Sequence, residues 1–196
     1  MIDHISKTQE KKNYELVTLD KNEILNIINK YPSDRKYSAV IPLLHYVQKK
    51  AGGWLPIPEI ERVSEILGMS YMRVYEVASF YTMFNLKPVG KFLLQICKTT
   101  PCWLRGSDDV EKCIKDVLKI SNGETTKDGL FTLMDVECLG ACVNAPILQI
   151  NDDYYEDIDY ESTKQLLNEC RNGKQPKSGS SLGRRSSEPV NFRKLK

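Results

Sequence analysis

The feature that most restricts how this chain can fold is the placement of four cysteines. Cys97-Lys-Thr-Thr-Pro-Cys102 is a C-x4-C pair, and Cys138-Leu-Gly-Ala-Cys142 is a C-x3-C pair. Each follows a short segment that reads as a strand, Phe92 to Ile96 before the first and Leu130 to Val136 before the second. Between them, Asp108 to Ile120 reads as a helix capped by Ser107, with Val110, Ile114, Val117 and Leu118 turned inward. If the two strands are neighbours in one sheet, both cysteine loops emerge at the same edge and four sulfurs can converge. Small residues, Thr99, Thr100, Gly140, Ala141 and Ala145, fill these loops and let backbone N–H groups approach a sulfur.

Downstream, Ile147 to Ile150 and Tyr154 to Ile158 flank Asn151-Asp152-Asp153, a hairpin signal. Glu161 to Arg171 reads as a last helix, stopped by Gly173. The order β-α-β-β-α describes an open α/β sheet of the thioredoxin type. Upstream, four helices are predicted: Lys21 to Tyr31 with Asp20 as cap, Ala39 to Lys50 with Ser38 as cap, one starting at Pro58, and one after Ser70 that ends before Pro88. Short connections between them suggest a small helical bundle. The expected organisation is therefore a flexible arm (1–19), a helical bundle (20–88), an α/β domain (89–173) and a basic tail (174–196) that does not fold alone.

Composition excludes several classes. Hydrophobic residues make up 41% of the 196, enough for a core, but no apolar run approaches the roughly 18 needed to span a bilayer. The longest, Ala39 to Val47, is broken by Pro42 and His45. Direct membrane insertion is not expected. Met1 to Asp20 has no apolar signal region and no Arg, and it carries Asp3, Glu10, Glu15 and Asp20, so neither an export signal nor a mitochondrial presequence is read there. A cytoplasmic chain is expected, and its six cysteines then read as thiols or metal ligands rather than disulfides. Cys113 and Cys170 fall inside helices and read as plain thiols; His4 and His45 read as packing residues.

Charge is uneven. Arg171 to Lys196 holds eight Lys or Arg and one acid, Glu188, whereas Glu124 to Glu161 holds ten acids and only Lys127. The helices around Gly68-Met69-Ser70 have a helix-turn-helix look, but the second offers Arg73 beside Glu76 and many aromatics. That is too little positive charge to follow a phosphate backbone, and no nucleic-acid partner is expected. Tyr71, Tyr75, Phe80, Tyr81 and Phe84 read as core or interface. No glycine-rich dinucleotide motif or P-loop occurs.

Four thiolates are the usual ligands of a [2Fe–2S] cluster, and a C-x4-C opening pair occurs in plant-type ferredoxins. Zinc accepts the same donors at similar spacing, which would make a structural module. A redox dithiol is more often C-x-x-C. Spacing favours iron–sulfur and leaves these alternatives open.

The stretches Ile41-Pro-Leu-Leu-His45, Gly52-Gly-Trp-Leu-Pro56, Arg73-Val-Tyr-Glu-Val77, Phe80-Tyr-Thr-Met-Phe84 and Glu137-Cys-Leu-Gly-Ala-Cys-Val-Asn-Ala-Pro146, with the C-x4-C pair, closely resemble the family of E subunits of NADH-quinone oxidoreductases. These are the small iron–sulfur subunits of the NADH-dehydrogenase module of respiratory complex I, and the resemblance runs from about Asp20 to Gly173. It implies a helical bundle followed by a thioredoxin-like ferredoxin domain, with one [2Fe–2S] cluster on Cys97, Cys102, Cys138 and Cys142. It implies electron transfer without a catalytic residue of its own, and docking on a larger subunit that holds FMN and binds NADH, beside the other iron–sulfur subunits. A peripheral place on the cytoplasmic face of a bacterial inner membrane follows. The runner-up is the equivalent subunit of an NAD-linked hydrogenase or formate dehydrogenase. The acidic middle of the chain points to a low potential, on the order of −400 mV as in plant-type ferredoxins, and the aromatic helix or the basic tail is expected to meet the partner.

Overall fold

The computed structural model describes residues 14–185, and the chain divides between Val89 and Gly90 into two units. In the first, the apolar spacing seen in the sequence produces α1 (Lys21–Ile28), α2 (Val40–Lys50), α3 (Ile57–Leu67) and α4 (Tyr71–Phe80). Leu43, Leu44 and Val47 of α2, Ile60, Val63 and Leu67 of α3, and Val74 and Ala78 of α4 recur at helical spacing and form one buried core. Asp20 caps α1 by accepting from the Asn22 N–H at 2.8 Å. That helix stops at Ile28, short of Tyr31; Asn29 to Tyr31 continue as a turn in which the Tyr31 N–H donates to the Ile28 carbonyl at 3.0 Å, and Pro32 follows. A 3-10 helix, Ser33–Ala39, then occupies the residues expected to precede and cap α2. Gly68, at φ +66°, closes α3 in a left-handed conformation that a Cβ would strain.

Of the arm expected over 1–19, residues 1–13 lie outside the described residues. From Tyr14 on, the chain is held by Glu59, which is fully buried. Its Oε1 accepts from the Val17 N–H at 2.7 Å, and Arg62 donates to the Val17 carbonyl at 2.6 Å while standing 3.6 Å from the second carboxylate oxygen. A buried carboxylate needs such donors, and this need fixes a segment whose own sequence shows no pattern.

The second unit is built on a five-stranded sheet, β1 (Phe92–Cys97), β2 (Phe131–Val136), β3 (Ile147–Ile150), β4 (Asp153–Glu156) and β5 (Gly179–Ser180), in the order β2-β1-β3-β4-β5. β1 and β2 run parallel, as do β4 and β5; β3 is antiparallel to both β1 and β4. Between β1 and β2 the chain crosses over through α5 (Thr100–Leu104) and α6 (Ser107–Leu118). α7 (Tyr160–Arg171) follows β4, with Asp159 and Ser162 forming a capping box.

Strand alternation separates two faces. Phe92, Leu94, Ile96, Phe131, Leu133, Leu148, Ile150 and Tyr155 pack with Val110, Ile114 and Leu118 of α6 and Leu167 and Cys170 of α7. Cys97, Ile147 and Tyr154, of opposite parity, belong to a separate small cluster with Cys102 and Ala145.

Ser107, expected to cap the crossover helix, is instead its first residue. Only Gly106, at φ +100°, separates α6 from the C-cap of α5, which leaves no room for a side-chain cap. The tail expected to begin at residue 174 does not behave as one over its described part. β5 pairs with Tyr155 and Glu156, and the Tyr155 hydroxyl donates to the Pro176 carbonyl at 3.2 Å. Unpaired backbone groups on the outer edge of β4 supply the partner that its polar composition does not advertise. Residues 186–196 lie outside the described residues.

At the start of this unit the Gly90 N–H donates to Thr132 Oγ1 at 2.6 Å. A Cβ there would meet backbone atoms of Phe131 and Leu130 at 2.8–2.9 Å. Gly90→Ala is expected to destabilise this unit by about 2 kcal/mol, read as a lowered denaturation midpoint.

Candidate metal centre

Cys97 is the last residue of β1 and lies opposite Val136, the last residue of β2. Parallel pairing therefore sends both chains out at one edge of the sheet. The first turns directly into α5, a five-residue helix that the sequence reading missed. Thr99 at its N-cap and Pro101 in its first turn are the signals that could have revealed it. This helix carries Cys102 back under the edge, so that Cys97 and Cys102 are both buried and each lies within hydrogen-bond reach of the other. The second chain runs two residues past β2 to Cys138, which is exposed, and on to Cys142, which is half-buried at the start of a 3-10 turn, Cys142–Asn144. Their sulfurs are 3.4 Å apart. None of the four is in a disulfide. The two pairs feel one another's charge: Cys142 acts on Cys102, and Cys97 acts on Cys138. The structure thus brings together all four cysteines singled out from the sequence. Cys113 and Cys170 stay apart in α6 and α7, where burial pushes both thiols up to about 11.

The surroundings favour negative sulfur at one member of each pair. Burial pushes the Cys97 thiol up, but hydrogen bonds from the Thr99 hydroxyl (3.2 Å) and from the N–H groups of Leu139 and Thr99 outweigh it and hold the group below its ordinary value. Cys138 is held low chiefly by the Gly140 N–H at 3.4 Å, then by Cys142. Gly140 sits at φ +81°, a conformation that a side chain would strain and that lets the loop turn on toward Cys142. Cys102 goes the other way, pushed up to about 12 by burial and by its bond to Cys97, and Cys142 is raised first by its bond to Cys138. Thr99 also reaches Cys138, so its hydroxyl serves both pairs. It entered the sequence reading only as a small loop residue.

Lys98, beside Cys97, points away to an acidic pair. Its Nζ lies 2.9 Å from Glu111 and 3.4 Å from Asp135. Tyr154 steadies the second loop from below, donating to the Leu139 carbonyl at 2.9 Å.

This donor set fits a two-iron cluster. Four thiols stand as two pairs, and N–H groups from Leu139, Gly140 and Ile147 reach three of the sulfurs. Among the described residues, no three Cys, His, Asp or Glu side chains gather around one point, and the four thiols stand as two pairs.

Residues 24–171 match the sequence model of the thioredoxin-like [2Fe–2S] ferredoxins. The chain belongs to that family. A relative from Rickettsia bellii (strain RML369-C), the E subunit of NADH-quinone oxidoreductase, is 59% identical over 147 residues, 75% of this chain and 88% of its own length. The mitochondrial NADH dehydrogenase [ubiquinone] flavoprotein 2 of Dictyostelium discoideum is 48% identical over 166 residues, 85% of this chain and 67% of that protein. Among solved structures, an NAD+-reducing [NiFe]-hydrogenase in its air-oxidised state shares the fold with a TM-score of 0.61 at 18% identity, over 68% of this chain and 23% of that one. In this thioredoxin-like [2Fe–2S] ferredoxin, Cys97 lies on the face of the sheet opposite the two long helices, packed with Cys102.

Hydrogen bonds to cluster sulfurs help set the potential. Thr99→Val, which removes the hydroxyl and keeps the volume, is expected to move the potential of the loaded chain to more negative values in a redox titration.

Proposed function

We propose that Cys97, Cys102, Cys138 and Cys142 hold one [2Fe–2S] cluster, and that the chain is an electron-transfer subunit of an NADH:quinone oxidoreductase of the complex I type. The observation that carries this reading is the meeting of two thiol pairs at the ends of two adjacent parallel strands, with backbone N–H groups aimed at the sulfurs. A bound [2Fe–2S] cluster supplies one-electron chemistry. This chain supplies the thiolates, the N–H groups that share their charge, and a rigid sheet edge that fixes their spacing. The Rickettsia relatives, named as E subunits of NADH-quinone oxidoreductase, support the complex.

In this reading FMN and NADH belong to a partner subunit, in keeping with the lack of a nucleotide motif here. The cysteine loops open toward that partner beside Trp103, Leu104 and Val143, which are 57%, 69% and 59% exposed although apolar. The N-terminal helices act as a small bundle, and exposed Met72, Phe80, Tyr81 and Met83 support a second contact with the complex. No helix among the described residues is long and apolar enough to cross a membrane. The chain attaches to the cytoplasmic face of a bacterial inner membrane through other subunits. A place in an NAD-linked hydrogenase is the second reading. It draws on the shared fold alone, at 18% identity, against relatives of the first kind at 59%.

Iron, zinc and acid-labile sulfide on anaerobically purified chain test the assignment. About two iron and two sulfide per chain, bleaching on reduction, are expected, and Cys138→Ser should lower both contents. One zinc without sulfide would overturn it. The potential is expected on the order of −400 mV, and a value above zero would contradict the acidic setting.

A further inference from the structure

After β5 the chain does not leave the sheet. It turns through Leu182 and Gly183 and lays Arg184 against the loop of the second cysteine pair. The Arg184 guanidinium grips two groups that lie far apart in sequence. Nε donates to both carboxylate oxygens of Asp157, at 3.1 and 3.0 Å, and Nη2 bonds Asp157 as well. The same Nη2 donates to the Val143 carbonyl at 3.0 Å. Val143 is the residue after Cys142.

Asp157 is the other half of the clamp. Its side chain is 1% exposed, and its own N–H donates to the Asn144 carbonyl at 2.8 Å. Two successive carbonyls just beyond Cys142 are thus held, one by Arg184 and one by Asp157. The surrounding bonds draw the same elements together. Asn144 donates to Glu156 at 2.6 Å, the Ser181 N–H donates to the Glu156 carbonyl at 2.9 Å, and Ser180 and Ser181 donate through their hydroxyls to Asp157.

We infer that Gly179–Arg184 is a strap that fixes the Cys142 side of the centre, with Arg184 as its positioning residue; this rests on the reading that Cys142 is a ligand. The chemistry explains why an arginine stands there. A planar guanidinium presents donors in several directions and bridges a carboxylate and a carbonyl at once, whereas a lysine offers one point of charge. The strap holds the backbone and not the sulfur, so it sets where Cys142 stands without contributing to its chemistry.

The test uses the full chain, loaded with its cluster, as wild type, Arg184→Gln, Arg184→Lys and Lys177→Gln. The last removes one positive charge from an exposed residue of the same segment. Hydrogen exchange is read over residues 139–145 and, as a control for the fold, over 92–97. Release of iron to a chelator is followed in parallel. Arg184→Gln is expected to speed exchange over 139–145 about tenfold, the loss of hydrogen bonds to a charged group, with 92–97 unchanged and iron released faster. Arg184→Lys, which keeps the ion pair but not the carbonyl bond, is expected between the two, and Lys177→Gln to match wild type. Unchanged exchange over 139–145 in Arg184→Gln overturns the strap, as does an equal effect from Lys177→Gln. If Arg184→Gln loosens 92–97 too, Arg184→Lys decides: a faster loop supports the strap, and a wild-type loop overturns it. A chain whose iron is indifferent to Cys142→Ser would refute the ligand reading by itself, and the exchange data would still judge the strap.

Discussion

Parallel pairing of β1 with β2 is the constraint from which the arrangement of the second unit follows. Parallel neighbours cannot be joined by a tight turn, so the chain has to cross over, and α5 and α6 are that crossover. Both strands then end on the same side, with Cys97 opposite Val136 and Cys138 two residues further on. α6 and α7 cover one face through the residues of one parity. Cys97, of the other parity, is thereby turned away from the helices, toward Cys102, Ala145 and Ile147. The core and the cysteine centre share strands without sharing a face.

The charge balance at the centre depends more on the backbone than on side chains. Lys98 is the nearest sequence neighbour able to offset negative sulfur, yet it is bound to Glu111 and Asp135. What reaches the sulfurs is the N–H of Thr99, Leu139, Gly140 and Ile147 and the hydroxyl of Thr99. Backbone dipoles are fixed by the fold, so they are in place before any metal arrives and need no reorganisation when charge changes. Burial is unequal: Cys97 and Cys102 are enclosed, whereas Cys138 is open.

Much of this was legible in the sequence because it is periodic or punctuated. The apolar spacing of Leu43, Leu44 and Val47 and the alternation of Phe131 and Leu133 report burial directly. The two cysteine pairs were legible for a different reason, since thiols spaced as C-x4-C and C-x3-C after two strands suit only a few metal or redox chemistries. What escaped was set at long range. Residues 14–18 take their place from Glu59, and residues 174–185 from Asp157 and the edge of β4. Neither segment carries a pattern of its own. α5 escaped because five residues are too few for helical periodicity to show, and the roles of Thr99 and Arg184 emerged only with the fold, from the atoms they face.

The outermost strands of the sheet have a further consequence. β5, only two residues long, occupies the free side of β4. On the opposite side, β2 is paired by its own preceding loop: Gly123 donates to the Leu133 carbonyl, Leu133 to that of Glu124, and Thr126 to that of Phe131. Both margins of the sheet are thus already hydrogen-bonded by the chain itself. Among the described residues, what a strand from another molecule meets at the β4 side is a two-residue edge, too short to template extended pairing, which limits aggregation through the sheet in a protein with exposed apolar side chains near its cysteines.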